Sequence, residues 1–424
     1  MRKQLKQVVK LLAAVAAVVS IAACSEKLDA GKACPLLCPI QSDSLRDTTI
    51  DAVEIDTTVT GLPPIGLETY LMLASHGDTL DTRAMIRFDT IPQSYSKSAF
   101  DSVIATIDTA LLITPIAKPD SLHRPTAPVT IEVYDVDTVG TDTSSAILSS
   151  LFRPDRLIGA KTFAPESLLD TLFIPISADT VLDRVKKGTH LRVGMRLRSS
   201  AGYDLRIGTT QTGTPVTLHI VASKDTAAKP VNVSPLSDTP VNQGFLSGPL
   251  ADFTIVTKGL TAASSTLLSV GGVPSRRTYI HFEVPSRFVD SSTIVRASLL
   301  LTQTPNRRVD ARDSVYVYPI ALLASPVVTD VASALQFLGT NGQFGLDSLL
   351  IAPGDSGVKE FQIAGLMRTW KGTTLDVSPR SIALRSGAEG SLPAQFDFFS
   401  TRAPAGLRPR LRITYVPQVS YGVP

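Results

Sequence analysis

Cysteine is nearly absent from this chain: three residues in 424, at positions 24, 34 and 38. So few thiols, all at one end, cannot staple a fold of this length, so stability must come from hydrophobic cores. Aromatic residues are also scarce, at 6%, with a single tryptophan, Trp370; that speaks against an extended groove of stacked rings. Charged residues make up 19% and the net charge is +3. An average domain is about a quarter charged, and so small an excess excludes the basic footprint of a nucleic-acid protein. No apolar run reaches the roughly 20 residues of a spanning helix.

What is present is alternation. In "THLRVGMRLRS", Leu191, Val193, Met195 and Leu197 share one face, and Arg192, Arg196 and Arg198 the other. "VTIEVYD" (129–135), "VTLHIV" (216–221) and "RLRITYV" (410–416) alternate likewise. A period of two describes strands with one face on a core and one toward water. Helical signals are weak, and Pro, Gly and Asp-Thr turns break the segments. The expected fold is all-β, built of antiparallel β-sandwiches.

The N-terminus follows another logic. Arg2, Lys3, Lys6 and Lys10 precede the short apolar stretch "LLAAVAAVVSIAA", the pattern of an export signal. Ile21-Ala22-Ala23-Cys24 closes it and resembles the lipobox of bacterial lipoproteins. The resemblance implies acylation of Cys24 as the first mature residue, a membrane anchor without a spanning helix. Ser25 after it implies sorting to the outer membrane. Cys34 and Cys38 in "ACPLLCP" read as a tight disulfide or as free thiols. A metal site there lacks further cysteine or histidine ligands.

The chain also repeats. "TRAMIRFDTIP" (82–92) matches "RRTYIHFEVPS" (276–286), placing Arg83, Ile86 and Phe88 on Arg277, Ile280 and Phe282. "IDTALLIT" (107–114) matches "VRASLLLT" (295–302), and "TPVTLHIV" (214–221) matches "RPRLRITYV" (408–416). The organisation expected is a signal at 1–23, a lipidated tether at 24–47, a first sandwich at 48–221, a linker at 222–243 and a second sandwich at 244–424.

Each copy resembles the DNRLRE-type domain, also grouped as carbohydrate-binding module family 96. The second copy carries the pattern best, in "RTYIHFEVP", "ASLLLTQ", "TWKGT", "IALRS" and "RPRLRITYV". The first keeps "RAMIRFD" but has Val185 where Trp370 aligns. The resemblance implies jelly-roll-like sandwiches on cell-surface proteins, some of which bind acidic polysaccharide. It transfers no ligand residue to this sequence.

Candidate chemistry is thin. "GDSG" (354–357) resembles the nucleophile turn of chymotrypsin-like proteases, but none of His76, His123, His190, His219 and His281 lies in a matching histidine motif. It reads as a turn. Asp135, Asp137 and Asp142 in "YDVDTVGTDTS" could form a structural calcium loop, although Val139 and Ala146 break the helical calcium-loop pattern. Trp370 reads as a packing residue. The arginine faces, Arg192, Arg196 and Arg198 in one copy and Arg408, Arg410 and Arg412 in the other, are the candidate glycan contacts, because guanidinium forks suit carboxylates and sulfates. No metal ligand set, cofactor or catalytic set is expected. The function expected is a non-catalytic lipoprotein binding polysaccharide, with a scaffold for other envelope proteins as the alternative.

Overall fold

The computed structural model describes residues 45–418, apart from 98–99, 121–122, 139–142, 224–227, 238–239, 244–245, 262–263, 324–327, 340 and 372–379. Cys24, Cys34 and Cys38 lie outside these residues. Arg46–Pro424 forms one compact unit.

The chain enters through β1 (Arg46–Ile50) and β2 (Val53–Leu62). Next come β3 (Tyr70–His76), β4 (Leu80–Phe88), a small hairpin of β5 (Ser94–Lys97) and β6 (Phe100–Val103), β7 (Thr109–Pro115) and β8 (Val129–Asp135). Then follow α1 (Ser145–Ser149), β9 (Leu157–Phe163), β10 (Thr171–Pro175), α2 (Ala178–Lys187), β11 (Leu191–Ser199), β12 (Tyr203–Gly208) and β13 (Thr217–Val221). The middle of the chain gives β14 (Val231–Val233), β15 (Pro240–Gln243), β16 (Leu246–Pro249) and β17 (Asp252–Lys258). The second copy runs through β18 (Leu267–Gly271), β19 (Ser275–Phe282), α3 (Ser286–Val289), β20 (Ser292–Thr304), β21 (Val315–Leu322) and α4 (Val331–Gln336). It closes with β22 (Leu349–Ile351), β23 (Gly357–Gln362), α5 (Ala364–Arg368), β24 (Ser381–Ser386), β25 (Gln395–Phe399) and β26 (Arg410–Pro417).

The fold is all-β, as the alternation requires, and it is a pair of antiparallel sandwiches. In the first, the sheet β10–β7–β13–β14 faces the sheet β12–β3–β4–β11–β8–β9, with β17 paired to β4. Leu112 and Leu218 from one sheet meet Ile86, Ile131, Val193 and Met195 from the other in one core. The second sandwich is a single sheet folded over itself. β1–β26–β20–β23 form one layer, β25–β18–β19–β24–β21–β22 with β2 the other, and the end of β20 joins β25 through Gln303 and Thr304. Its core gathers Leu299, Phe361 and Leu411 against Phe282, Ile382 and Phe398.

Trp370 is 1% exposed and its ring lies 5.7 Å from Phe282. Val185, aligned with it in the repeat, is also buried. Both sit at the C-terminal end of a short helix, α5 or α2, that plugs the gap before β24 or β11. Gly188, the glycine of that motif, ends α2 in the left-handed conformation at φ 62°, the conformation a side chain resists.

The strands cross between the copies. β2 precedes the first sandwich in sequence, yet it pairs with β19 of the second, in register Thr58 with Thr278. β17 follows the first sandwich, yet it pairs with β4, in register Thr254 with Ala84. β1 likewise pairs with β26, and β14 with β13. Residues 46–62 therefore complete the second sandwich, although the sequence places 48–62 with the first and 46–47 in a tether. The expected linker 222–243 supplies β14 to the first sandwich. The chemistry of the crossing is duplicated. Asp56 accepts from the Thr401 amide (2.6 Å) and hydroxyl (3.0 Å); Asp252 accepts from the Thr210 amide (2.8 Å) and hydroxyl (3.0 Å). Thr58 Oγ1 accepts from Ser269 N, and Thr254 Oγ1 from Met72 N.

Candidate functional site

The seven-stranded layer of each sandwich is covered on its outer face as well. In the first, Met85, Tyr134, Leu148 on α1, Phe253 and Ile255 form a second apolar cluster. This cover overturns part of the expected arginine face. Arg192 is 3% exposed, with its guanidinium 5.5 Å from the Phe253 ring centre; alternation puts it in water, but the outer-face cluster that includes Phe253 and Leu148 extends to that end of β11. Arg196 lies 3.6 Å from Asp81, and Arg198 bonds Glu132 at 2.8 Å. In the second copy, exposed Arg408 donates to the Ala403 carbonyl and Arg410 is half-buried. Arg412 bonds Asp47 of β1 at 2.8 Å. Three of the six arginines are thus matched by a carboxylate, and each copy's set is divided between covered and exposed positions rather than forming one open cationic surface.

The other sequence candidates find local partners too. Asp135 and Asp137 both pair with Arg184, at 2.7 and 3.3 Å, and Asp137 also with His190 at 2.6 Å. Asp142 lies outside the described residues. Gly354–Gly357 is the turn between β22 and β23, where Asp355 accepts from the Ala352 amide and pairs with Lys359 at 2.8 Å. His219 and His281 are strand residues, bonded to Asn232 and Ser381.

A cleft of about 540 Å³ opens where the two sandwiches meet, and the sequence does not announce it. From the first sandwich come His76 at the end of β3, Asp120, His123 and Arg124 after β7, and Tyr203, Asp204 and Arg206 on β12. The second supplies Arg307 through Ser314, between β20 and β21, with Leu392 and Pro393. An apolar cluster joining Met72, Ala74 and Leu80 to Val273 seals the two copies beside it. Six basic side chains line the cleft: His76, His123, Arg124, Arg206, Arg307 and Arg308, of which Arg308 is spent on Asn306, Thr261 and Asp397. Arg206 lies over the Tyr70 ring at 5.6 Å. Arg124, Arg206 and Arg307 have no ion pair among the described residues.

At the centre, His123 spans the copies. Its Nε2 lies 2.6 Å from Asp313 of the second sandwich, and its Nδ1 lies 2.8 Å from Asp120 on its own loop. Partial burial works against charge on the ring, but the bonds to Asp313 and Asp120 outweigh it and hold the imidazole above its ordinary value. Burial pushes the Asp313 carboxyl up, with His123 opposing. Asp310 is held down at about 2 by the Arg312 side chain and amide. His123, Asp310 and Asp313 offer donor atoms all within 4.8 Å of one another. His76 bonds Asp204 at 3.2 Å on the opposite side. Sequence reasoning missed this site because its members are single residues on loops, with 190 positions between His123 and Asp313.

No family model matches the chain, and no curated protein matches it. Among solved structures, a protein of Parabacteroides distasonis ATCC 8503 named for its expected secretion aligns over 87% of this chain and 99% of its own, at 10% identity and a TM-score of 0.24. The VP2 subviral particle of infectious bursal disease virus aligns over 87% and 78%, at 13% identity and a TM-score of 0.14. At these scores neither likeness bears on function.

Proposed function

We propose that this chain is a non-catalytic lipoprotein of the bacterial outer membrane, held by an acylated Cys24, whose paired sandwiches bind acidic polysaccharide in the cleft between them. The observation that supports the ligand class is the set Arg124, Arg206 and Arg307: three guanidinium groups without a carboxylate partner among the described residues, drawn from both sandwiches to one cleft. A guanidinium fork recognises carboxylate or sulfate by two parallel hydrogen bonds. On β11 and β26, Arg192 is covered and Arg196, Arg198 and Arg412 are matched by carboxylates, so the cleft takes over the role the sequence assigned to those faces.

The test is native affinity electrophoresis of the chain in gels containing acidic or neutral polysaccharides. Acidic glycans alone should retard it, and the double variant Arg124→Ser with Arg307→Ser should run freely. Equal retardation of that variant, or none of the unaltered chain on any acidic glycan, would remove the reading.

A second reading, a scaffold that packs against envelope proteins, is favoured by the β5–β6 hairpin, where Phe100 and Val103 are 81% and 76% exposed. Exposed apolar side chains together on one short hairpin suit a protein contact. Phe100→Ser should abolish association with envelope proteins under that reading and leave glycan retardation untouched under the first.

A further inference from the structure

We infer that His123, Asp310 and Asp313 form a site for a divalent transition cation that ties the two sandwiches together across the cleft. One imidazole nitrogen and two carboxylates come from separate copies of the repeat, and their donor atoms all fall within 4.8 Å of one another. A bound ion draws its ligands to about 2.0–2.2 Å from itself, so only a small closure of the cleft is needed. The nitrogen ligand selects against calcium and magnesium, and the carboxylates select against the soft, thiol-seeking ions; a mixed set of this kind suits Mn2+ or Zn2+.

The surroundings fit a metal-binding histidine. Asp120 bonds the far nitrogen, Nδ1, at 2.8 Å, and also accepts from the His123 amide at 3.0 Å. With a cation on Nε2, the Asp120 carboxylate keeps the ring proton on Nδ1 and holds Nε2 toward the second sandwich, the carboxylate–histidine arrangement that orients metal ligands. Asp313 is 7% exposed, and its oxygen 2.6 Å from Nε2 shares the proton that a cation would displace. Asp310 is held in place by Arg312, whose amide and Nε donate to Oδ1 and whose Nη2 donates to Oδ2. Asp310 Oδ2 and Asp313 Oδ1 accept one bond each, from Arg312 and His123, and each keeps a further lone pair for an ion. This inference does not rest on the glycan reading: the tie can hold where no polysaccharide binds.

The full chain, stripped with a chelator and desalted, is titrated with Mn2+, which thiols at Cys34 and Cys38 bind poorly. Free Mn2+ is read by electron paramagnetic resonance and the unfolding midpoint by calorimetry. The expected result is one ion per chain and a midpoint raised by the metal. Both should be lost in His123→Ala and in Asp313→Asn, and affinity should fall about 10- to 100-fold in Asp120→Asn. His219→Ala, a histidine on β13 away from the cleft, should bind as before. Each variant's metal effect is read against its own metal-free midpoint, so a general loss of stability does not mimic loss of the site. No binding by the unaltered chain overturns the inference, as does binding that survives both His123→Ala and Asp313→Asn.

Discussion

At the scale of single residues, the arginine that opens each repeated strand shows how one sequence position finds two solutions. Arg277 is 3% exposed and forms a double bond-pair with Glu389, at 2.8 and 2.7 Å. Arg83 is also buried, but it draws on Asp81, the Ser149 carbonyl and the Phe152 ring at 4.4 Å. Removing one member of a buried ion pair strands the other, at a cost of about 3–5 kcal/mol. Glu389→Gln should therefore destabilise the chain by about that much in urea unfolding, whereas Asp81→Asn should cost less because Arg83 keeps its other partners. Equal losses would show that Phe152 and Ser149 contribute nothing. Glu68 gives a prediction in pH. It is 6% exposed, and burial pushes its carboxyl up to about 7 despite bonds from the Gly66 and Thr254 amides. Between its ordinary 4.5 and about 7 the folded chain keeps a proton that the unfolded chain releases. Stability from this group is thus complete at low pH, declines as pH rises through that window and is flat above it. The decline is worth up to about 3 kcal/mol. Glu68→Gln should remove that slope; an unchanged slope between pH 4.5 and 7 would assign it to other groups.

At the scale of elements, alternation identifies strands but not their neighbours. β8, β11, β13 and β26 stand where the period of two puts them, and the repeat correctly pairs Trp370 with a buried helix-end residue in the other copy. The crossing of β2 and β17 is illegible because both strands alternate equally well wherever they pair. What decides the partner is the buried acid that each carries to a distant turn, Asp56 to Thr401 and Asp252 to Thr210. Arg192 is buried for a related reason: the outer-face cluster, to which Leu148 of α1 and Phe253 of β17 contribute, covers one end of β11 and cannot be seen from within that strand. The cleft was beyond reach altogether, since loops bring its residues together. The crossing itself is testable by hydrogen exchange. Asp56→Ala removes two charge-assisted bonds, worth about 1.5–3 kcal/mol each, and it lies in the N-terminal half of the sequence. Faster exchange should nevertheless appear around Thr401 and on β18 and β19, not on β3 and β4. Loosening confined to residues 70–88 would refute the pairing.

At the scale of the whole molecule, the exchange makes two copies of one fold into a single thermodynamic object. Neither sandwich is complete on its own stretch of sequence: the first needs β14 and β17, the second needs β1 and β2. β2 pairs along almost the full length of β19, from Ser275 to Phe282, and Val59 and Leu62 bury themselves against Tyr279 and Leu322 in the apolar cover of the second sandwich. Losing β2 leaves the β19 backbone that it pairs without partners, which no local repacking repairs. Tandem domains joined only by a linker unfold separately, with two heat-absorption peaks. Here each copy holds part of the other, so one cooperative peak is expected, with a calorimetric enthalpy equal to the van't Hoff value for the entire unit. Removing residues 45–62 should shift the balance in a directional way. The second sandwich, more than 200 residues downstream in the Ser275–Phe282 strand, should lose its protection, while the first, which keeps β14 and β17, should retain most of its own. Two separate peaks in the intact chain, or a truncated chain that loses the first sandwich instead, would contradict the exchange.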